Sequence, residues 1–119
     1  MKYLIALMAV LSMSARADEM SATDIYRQAV VTVLLVADYG QTRDQYAKRN
    51  EGYSEINPLI RRHYSDSGIR NYFIVAATGS ALVAKALPAE WRPAFQYTVI
   101  ALEVAAIVKN KRVGLSFRF

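Results

Sequence analysis

Residues 29–38 read AVVTVLLVAD, and residues 94–108 read AFQYTVIALEVAAIV. Each run is nearly as apolar as a membrane span, yet each carries one acid: Asp38 closes the first and Glu103 sits inside the second. A carboxylate is costly in hydrocarbon, so an acid in that setting faces a protein interior, a water-filled cavity or a partner. The two runs predict an all-α chain, a small helical membrane protein with a polar cluster around Asp38 and Glu103.

Working outward, three transmembrane helices are expected, over about 24–42, 71–87 and 93–108, with a cytoplasmic loop at 43–70 and a tail at 109–119. The first has Ser21 or Thr23 as its N-cap, with Asp24 in the first turn, and continues toward Arg49, with Gly52 as the stop. Its apolar core is short, so Arg27 is expected to snorkel outward. The second is uncharged between Asn71 and Ala84, and Pro88 closes it. Ala76, Ser80 and Ala84 recur every four residues, Ala77 and Ala81 form a second row, and Gly79 lies between them. Small residues at that spacing let helices approach closely in lipid, where apolarity alone does not hold helices together. The third opens on Pro93, where a helix tolerates proline. Ala101 and Ala105 repeat the spacing of four there, and Trp91 and Arg92 mark the interface.

The ends of the chain add direction. Lys2, the apolar stretch 3–11 and Ala15-Arg16-Ala17 form a signal-peptide pattern, so residues 1–17 are expected to be removed, leaving 18–119 as one helical domain. If the segment stays, it is a fourth helix. The loop 43–70 carries Arg43, Lys48, Arg49, Arg61, Arg62 and Arg70, and the tail carries Lys109, Lys111, Arg112 and Arg118. The positive-inside rule puts both in the cytoplasm of a bacterial inner-membrane protein, with the mature N-terminus in the periplasm. The net charge of +5 is thus explained by orientation, and no nucleic-acid partner is expected. Residues 113–119 alternate apolar and polar, which predicts a short C-terminal strand against the helix ends.

Asp38 precedes Arg43 by five residues and Glu103 precedes Lys109 by six, so both acids lie about 7–9 Å from the cytoplasmic charges. Gln41 and Thr42 extend that polar edge. In the loop, Asn57 as N-cap and Pro58 as first residue predict a short helix, and Glu55 and Asn57 are placed to fold back onto Asp38. The expected polar cluster is therefore Asp38, Gln41, Thr42, Glu55, Asn57 and Glu103, with Arg43, Lys48, Arg70 or a metal ion as candidate counter-cation. The chain has no cysteine and one histidine, which excludes thiolate chemistry and multi-histidine metal sites. There is no nucleophile set and no phosphate loop, and no cofactor is expected.

The string Asp38-Tyr39-Gly40-Gln41-Thr42, with Gly52-Tyr53-Ser54-Glu55-Ile56-Asn57-Pro58 after it, resembles a pattern in uncharacterised small membrane proteins of bacteria and phages. Asn71-Tyr72-Phe73 and the Glu103, Asn110 and Gly114 positions are similar too. The resemblance implies a small helical membrane protein and brings no substrate, cofactor or catalytic residue with it. The expected role is structural or partner-binding, through lipid, self-association or another membrane protein. The alternatives are a holin-type membrane-permeabilising protein and a minimal cation- or proton-handling protein.

Overall fold

The computed structural model describes residues 19–119, and the signal-peptide expectation lies outside them. Within them the chain forms α1 (Ala22–Ala47), a 3₁₀ turn (Arg49–Glu51), α2 (Pro58–Arg61), α3 (Asp66–Ala86) and α4 (Arg92–Arg112). Each boundary has a local cause. At the start of α1, Ser21 Oγ accepts from the Asp24 N–H (3.1 Å) and the Asp24 carboxylate accepts from the Ser21 N–H (3.0 Å), a reciprocal capping box. The chain leaves the 3₁₀ turn through Gly52 at φ 98°, a left-handed conformation that favours glycine. Asn57 caps α2 by accepting from the Leu59 N–H (3.0 Å), and Ser65 caps α3 by accepting from the Gly68 N–H (3.0 Å). Pro88 follows α3, and Pro93 occupies the first turn of α4.

The end of α4 explains the tail. Gly114 (φ 94°) donates to Lys111 O (3.1 Å) and Leu115 to Asn110 O (3.0 Å), the paired bonds of a Schellman turn. Leu115 is buried by it. The remaining residues are anchored to α1: the Ser116 N–H donates to Asp44 (2.8 Å) and the Arg118 N–H to Gly40 O (3.0 Å). No strand forms among the described residues, so the expected C-terminal strand is corrected to a glycine-turned strap. Its alternation has no neighbouring strand to pair with.

Helix α1 packs along both α3 and α4, which touch each other less. The molecule is a thin slab of 49 × 35 × 19 Å, so its helices have broad outward faces. The apolar core is small: Val31, Leu35, Ile60, Ile69 and Phe73. Tyr39 leans on Phe73 (ring centroids 5.6 Å apart), and Tyr72 meets Phe73 edge-on at 5.0 Å.

The interior mixes apolar and polar side chains. Among the described residues eight apolar side chains are buried, and so are eight polar or charged ones: Asp24, Arg27, Gln28, Gln41, Thr42, Asp44, Arg92 and Gln96. Meanwhile Val33, Val75, Leu82 and Leu102 are each more than half exposed, between 57% and 68%. Buried charges and exposed large apolar side chains are the informative exceptions in a protein's interior–surface pattern. Among the described residues no helix is long and apolar enough to cross a membrane.

Small residues divide by face. Ala76 and Ala77 pack on the core, Ala84 is fully buried, and Ser80 accepts from Gln28 Nε2 (3.1 Å), so this row of α3 seats α1. Ala81 is half-buried, and Gly79 faces open space. Ala101 and Ala105, expected to pack, are exposed and line an open groove on α4.

Candidate functional site

The α1 and α4 helices run parallel and meet along one seam, to which each contributes a row with alternating steps of four and three residues. On α1 the seam is Asp24, Gln28, Val31, Leu35, Asp38 and Thr42; on α4 it is Arg92, Gln96, Val99, Glu103, Ala106 and Asn110. That step is the spacing by which a helix keeps one face on a neighbour. The middle of the seam is apolar and its ends are polar.

Toward the loop end, Asp38 of α1 and Glu103 of α4 line one cavity. Thr42, one turn on, donates to Asp38 Oδ1 at a long 3.5 Å, and Glu103 Oε2 is buried with no protein partner among the described residues. The loop folds over this pair. Asn57 Nδ2 donates to Tyr72 Oη (3.0 Å), and Glu55 Oε1 accepts from the Asn57 N–H (2.8 Å). The result is a cavity of ≈ 340 Å³ lined by Asp38, Thr42, Glu55, Asn57, Tyr72 and Glu103, with Lys109 and Asn110 at its edge. Burial pushes the Glu55 carboxyl above its ordinary value; the Asn57 N–H pulls it down and the Asp38 charge pushes it up further.

Five of the six residues expected in the polar cluster thus line one cavity. Gln41 lies apart from it: its Nε2 donates to Ile107 O (3.1 Å) and its Oε1 accepts from Asn110 Nδ2 (3.2 Å), so it ties α1 to the last turns of α4. The expected counter-cations are elsewhere. Lys48 pairs with Asp44 (2.9 Å), Arg43 lies over the Tyr39 ring (5.8 Å), and Arg70 lines a different cleft. No group of acids or histidines among the described residues is arranged to hold a metal ion.

A second polar cluster, unexpected from the sequence, occupies the other end of the seam. Arg27 pairs with Asp24 and donates from Nε to Gln96 Oε1 (2.7 Å). Gln96 Nε2 donates to Asp24 O (3.0 Å) and Gln28 Oε1 (3.2 Å). Arg92, 0% exposed, donates to Ala84 O (2.7 Å), Lys85 O (3.2 Å), Glu19 O (3.0 Å) and Asp24 Oδ2 (3.3 Å). Arg27, expected to snorkel outward, turns inward, and Arg92, expected at an interface, is fully buried within the protein. The reason is common to both. Each guanidinium finds acceptors inside, and Arg92 caps the C-terminal carbonyls of α3, where a cation also suits the helix dipole. The seam spacing carried the signal, because Asp24 and Gln28 lie on the same face as Asp38 and Thr42.

Asp44 anchors the tail. Burial raises its carboxyl, but hydrogen bonds from Lys48 and the Ser116 N–H, the Lys48 charge and Arg118 outweigh that, and it lies below its ordinary value. A carboxyl lowered on folding contributes stability above its unfolded value, and that contribution is lost as pH falls through the folded one. The Ser116 amide resonance should therefore hold its position at neutral pH and move with a midpoint below 3.8, Asp44's ordinary value, as the tail detaches. A midpoint at or above that value would break the assignment.

No family model matches the chain, and neither does any curated protein or solved structure.

Proposed function

We propose that the chain is a small integral membrane protein of the bacterial inner membrane, acting through helix contacts with lipid and with a membrane partner or a second copy. The observation that carries this reading is the polarity pattern: charges and amides line the α1–α4 seam while Val33, Val75, Leu82 and Leu102 point outward. In water that arrangement exposes apolar faces and buries costly charges; in lipid it satisfies both. Charge placement adds support. Lys48, Arg49, Arg61, Arg62, Lys109, Lys111 and Arg112 fall at one end of the parallel α1–α4 pair, the end assigned to the cytoplasm.

In this reading the Asp38–Glu103 cavity is the structural polar centre that the loop closes. The open groove along Ala101 and Ala105, of ≈ 870 Å³, favours the permeabilising alternative, because it leaves room for a second copy. Controlled expression in a bacterial host separates the two. The proposal expects the wild type to resist alkaline carbonate extraction and to leave the membrane potential intact, as should Asp38→Asn. Recovery in the carbonate supernatant would overturn the membrane assignment. Abrupt depolarisation by the wild type, lost or retimed in Asp38→Asn, would replace the structural role with permeabilisation.

A further inference from the structure

Between α1 and α3, on the face away from the carboxylate cavity, lies a cleft of ≈ 180 Å³ with an almost wholly apolar lining: Leu35, Val36, Tyr39, Phe73, Ile74 and Ala77. One polar residue, Arg70, closes one end of it. The register of the antiparallel pair brings a second arginine to that end. Tyr39 meets Phe73; four residues beyond Tyr39 is Arg43, and three residues before Phe73 is Arg70. Both are therefore about one helical turn further toward the basic end. The Arg43 guanidinium lies 5.8 Å from the centre of the Tyr39 ring, itself part of the cleft wall. Neither Arg43 nor Arg70 forms an ion pair among the described residues, although Asp24 and Asp44 engage Arg27, Arg92, Lys48 and Arg118.

Two guanidinium groups at one level, unneutralised and mounted over an apolar slot, match one ligand chemistry. A phosphate diester accepts the forked hydrogen bonds of arginine, and an acyl chain fills an apolar cleft. We propose that this cleft binds an anionic glycerophospholipid, with its phosphate at Arg43 and Arg70 and one chain along Leu35, Val36, Ile74 and Ala77. The site rests on the membrane reading, since such a lipid is at hand only in a bilayer. It also places the two arginines at headgroup depth, where juxtamembrane basic residues attract anionic lipid.

The test uses the full chain in a neutral detergent and follows thermal unfolding with added phosphatidylglycerol, phosphatidylcholine or inorganic phosphate. Phosphatidylglycerol should raise the midpoint well beyond phosphatidylcholine, and inorganic phosphate should not. In Arg43→Gln/Arg70→Gln the affinity for phosphatidylglycerol should fall at least about tenfold, roughly the loss of one charged hydrogen bond. Arg61→Gln/Arg62→Gln, on exposed α2 and its C-cap, should keep the wild-type response. If the double variant does not fold, Arg70→Gln alone decides by the same readout. Equal shifts with both lipids, or a full phosphatidylglycerol shift in the arginine variant, would overturn the lipid site. A protein that stays soluble and folded without detergent would instead overturn the membrane reading beneath it.

Discussion

Arg92→Ala should cost about 3–5 kcal/mol of stability, the scale for stripping one partner from a buried charge network. The guanidinium is 0% exposed and serves three carbonyls and the Asp24 carboxylate. Without it Asp24 keeps only Arg27 as a cationic partner, and the last carbonyls of α3 lose their donor. Arg92→Lys should fall between wild type and alanine, because a lysine keeps the charge but lacks the planar fork that reaches several acceptors at once. Denaturant-driven unfolding in detergent reads both. An alanine variant within about 1 kcal/mol of wild type, the range of an exposed ion pair, would mean that Arg92 is not the keystone of that end.

Gly68→Ala should be the second large loss. In most helices that change gains up to about 1 kcal/mol. Here a Cβ on Gly68 would lie 1.9 Å from the His63 carbonyl oxygen and 2.9 Å from its carbon. Those are backbone atoms, so no rotamer relieves the clash. The 62–65 turn must move, and with it the Ser65 cap, which accepts the Gly68 N–H (3.0 Å). A loss of about 1–3 kcal/mol is expected, the usual scale of overpacking. Gly79→Ala is the internal control: an added Cβ there meets nothing within 4 Å, so it should be neutral or stabilising by about 0.5–1 kcal/mol. Equal effects at the two glycines would contradict the crowding at His63.

The helices were readable because their start and stop signals are local. Ser21 and Asn57 cap through their own side chains and Pro88 closes α3, so those boundaries show in a few residues of sequence, whereas Gly52 ends the 3₁₀ turn and α1 itself stops earlier, at Ala47. The carboxylate cavity was readable for a different reason. Asp38 and Glu103 are conspicuous in apolar runs, and Asn57 betrays a loop that turns back. The opposite cluster was missed because Arg27 and Arg92 sit near the ends of their runs, where snorkelling is the ordinary outcome for a long basic side chain. Only the partners decide otherwise, and Gln96, Ala84 and Glu19 lie far from Arg27 and Arg92 in sequence or carry their acceptors on the backbone. The tail failed on the same ground. Alternation in residues 113–119 suits a strand only where an edge is free to pair with, and Gly114 instead reverses the chain onto Asp44 and Gly40. Ala101 and Ala105 share the spacing of Ala76, Ser80 and Ala84, yet face outward, because the Gln96–Glu103 side of α4 is the one that α1 occupies.

The polarity pattern is tested most directly by spin labels on outward positions in a reconstituted bilayer. The chain has no cysteine, so each single-cysteine variant carries one label. Val33→Cys, Leu82→Cys and Leu102→Cys should be accessible to oxygen and shielded from a water-soluble nickel chelate. Ser67→Cys and Lys111→Cys, at the basic end, should show the reverse. Nickel access at Val33, Leu82 and Leu102 as high as at Ser67 and Lys111 would put the apolar faces in water and contradict the account.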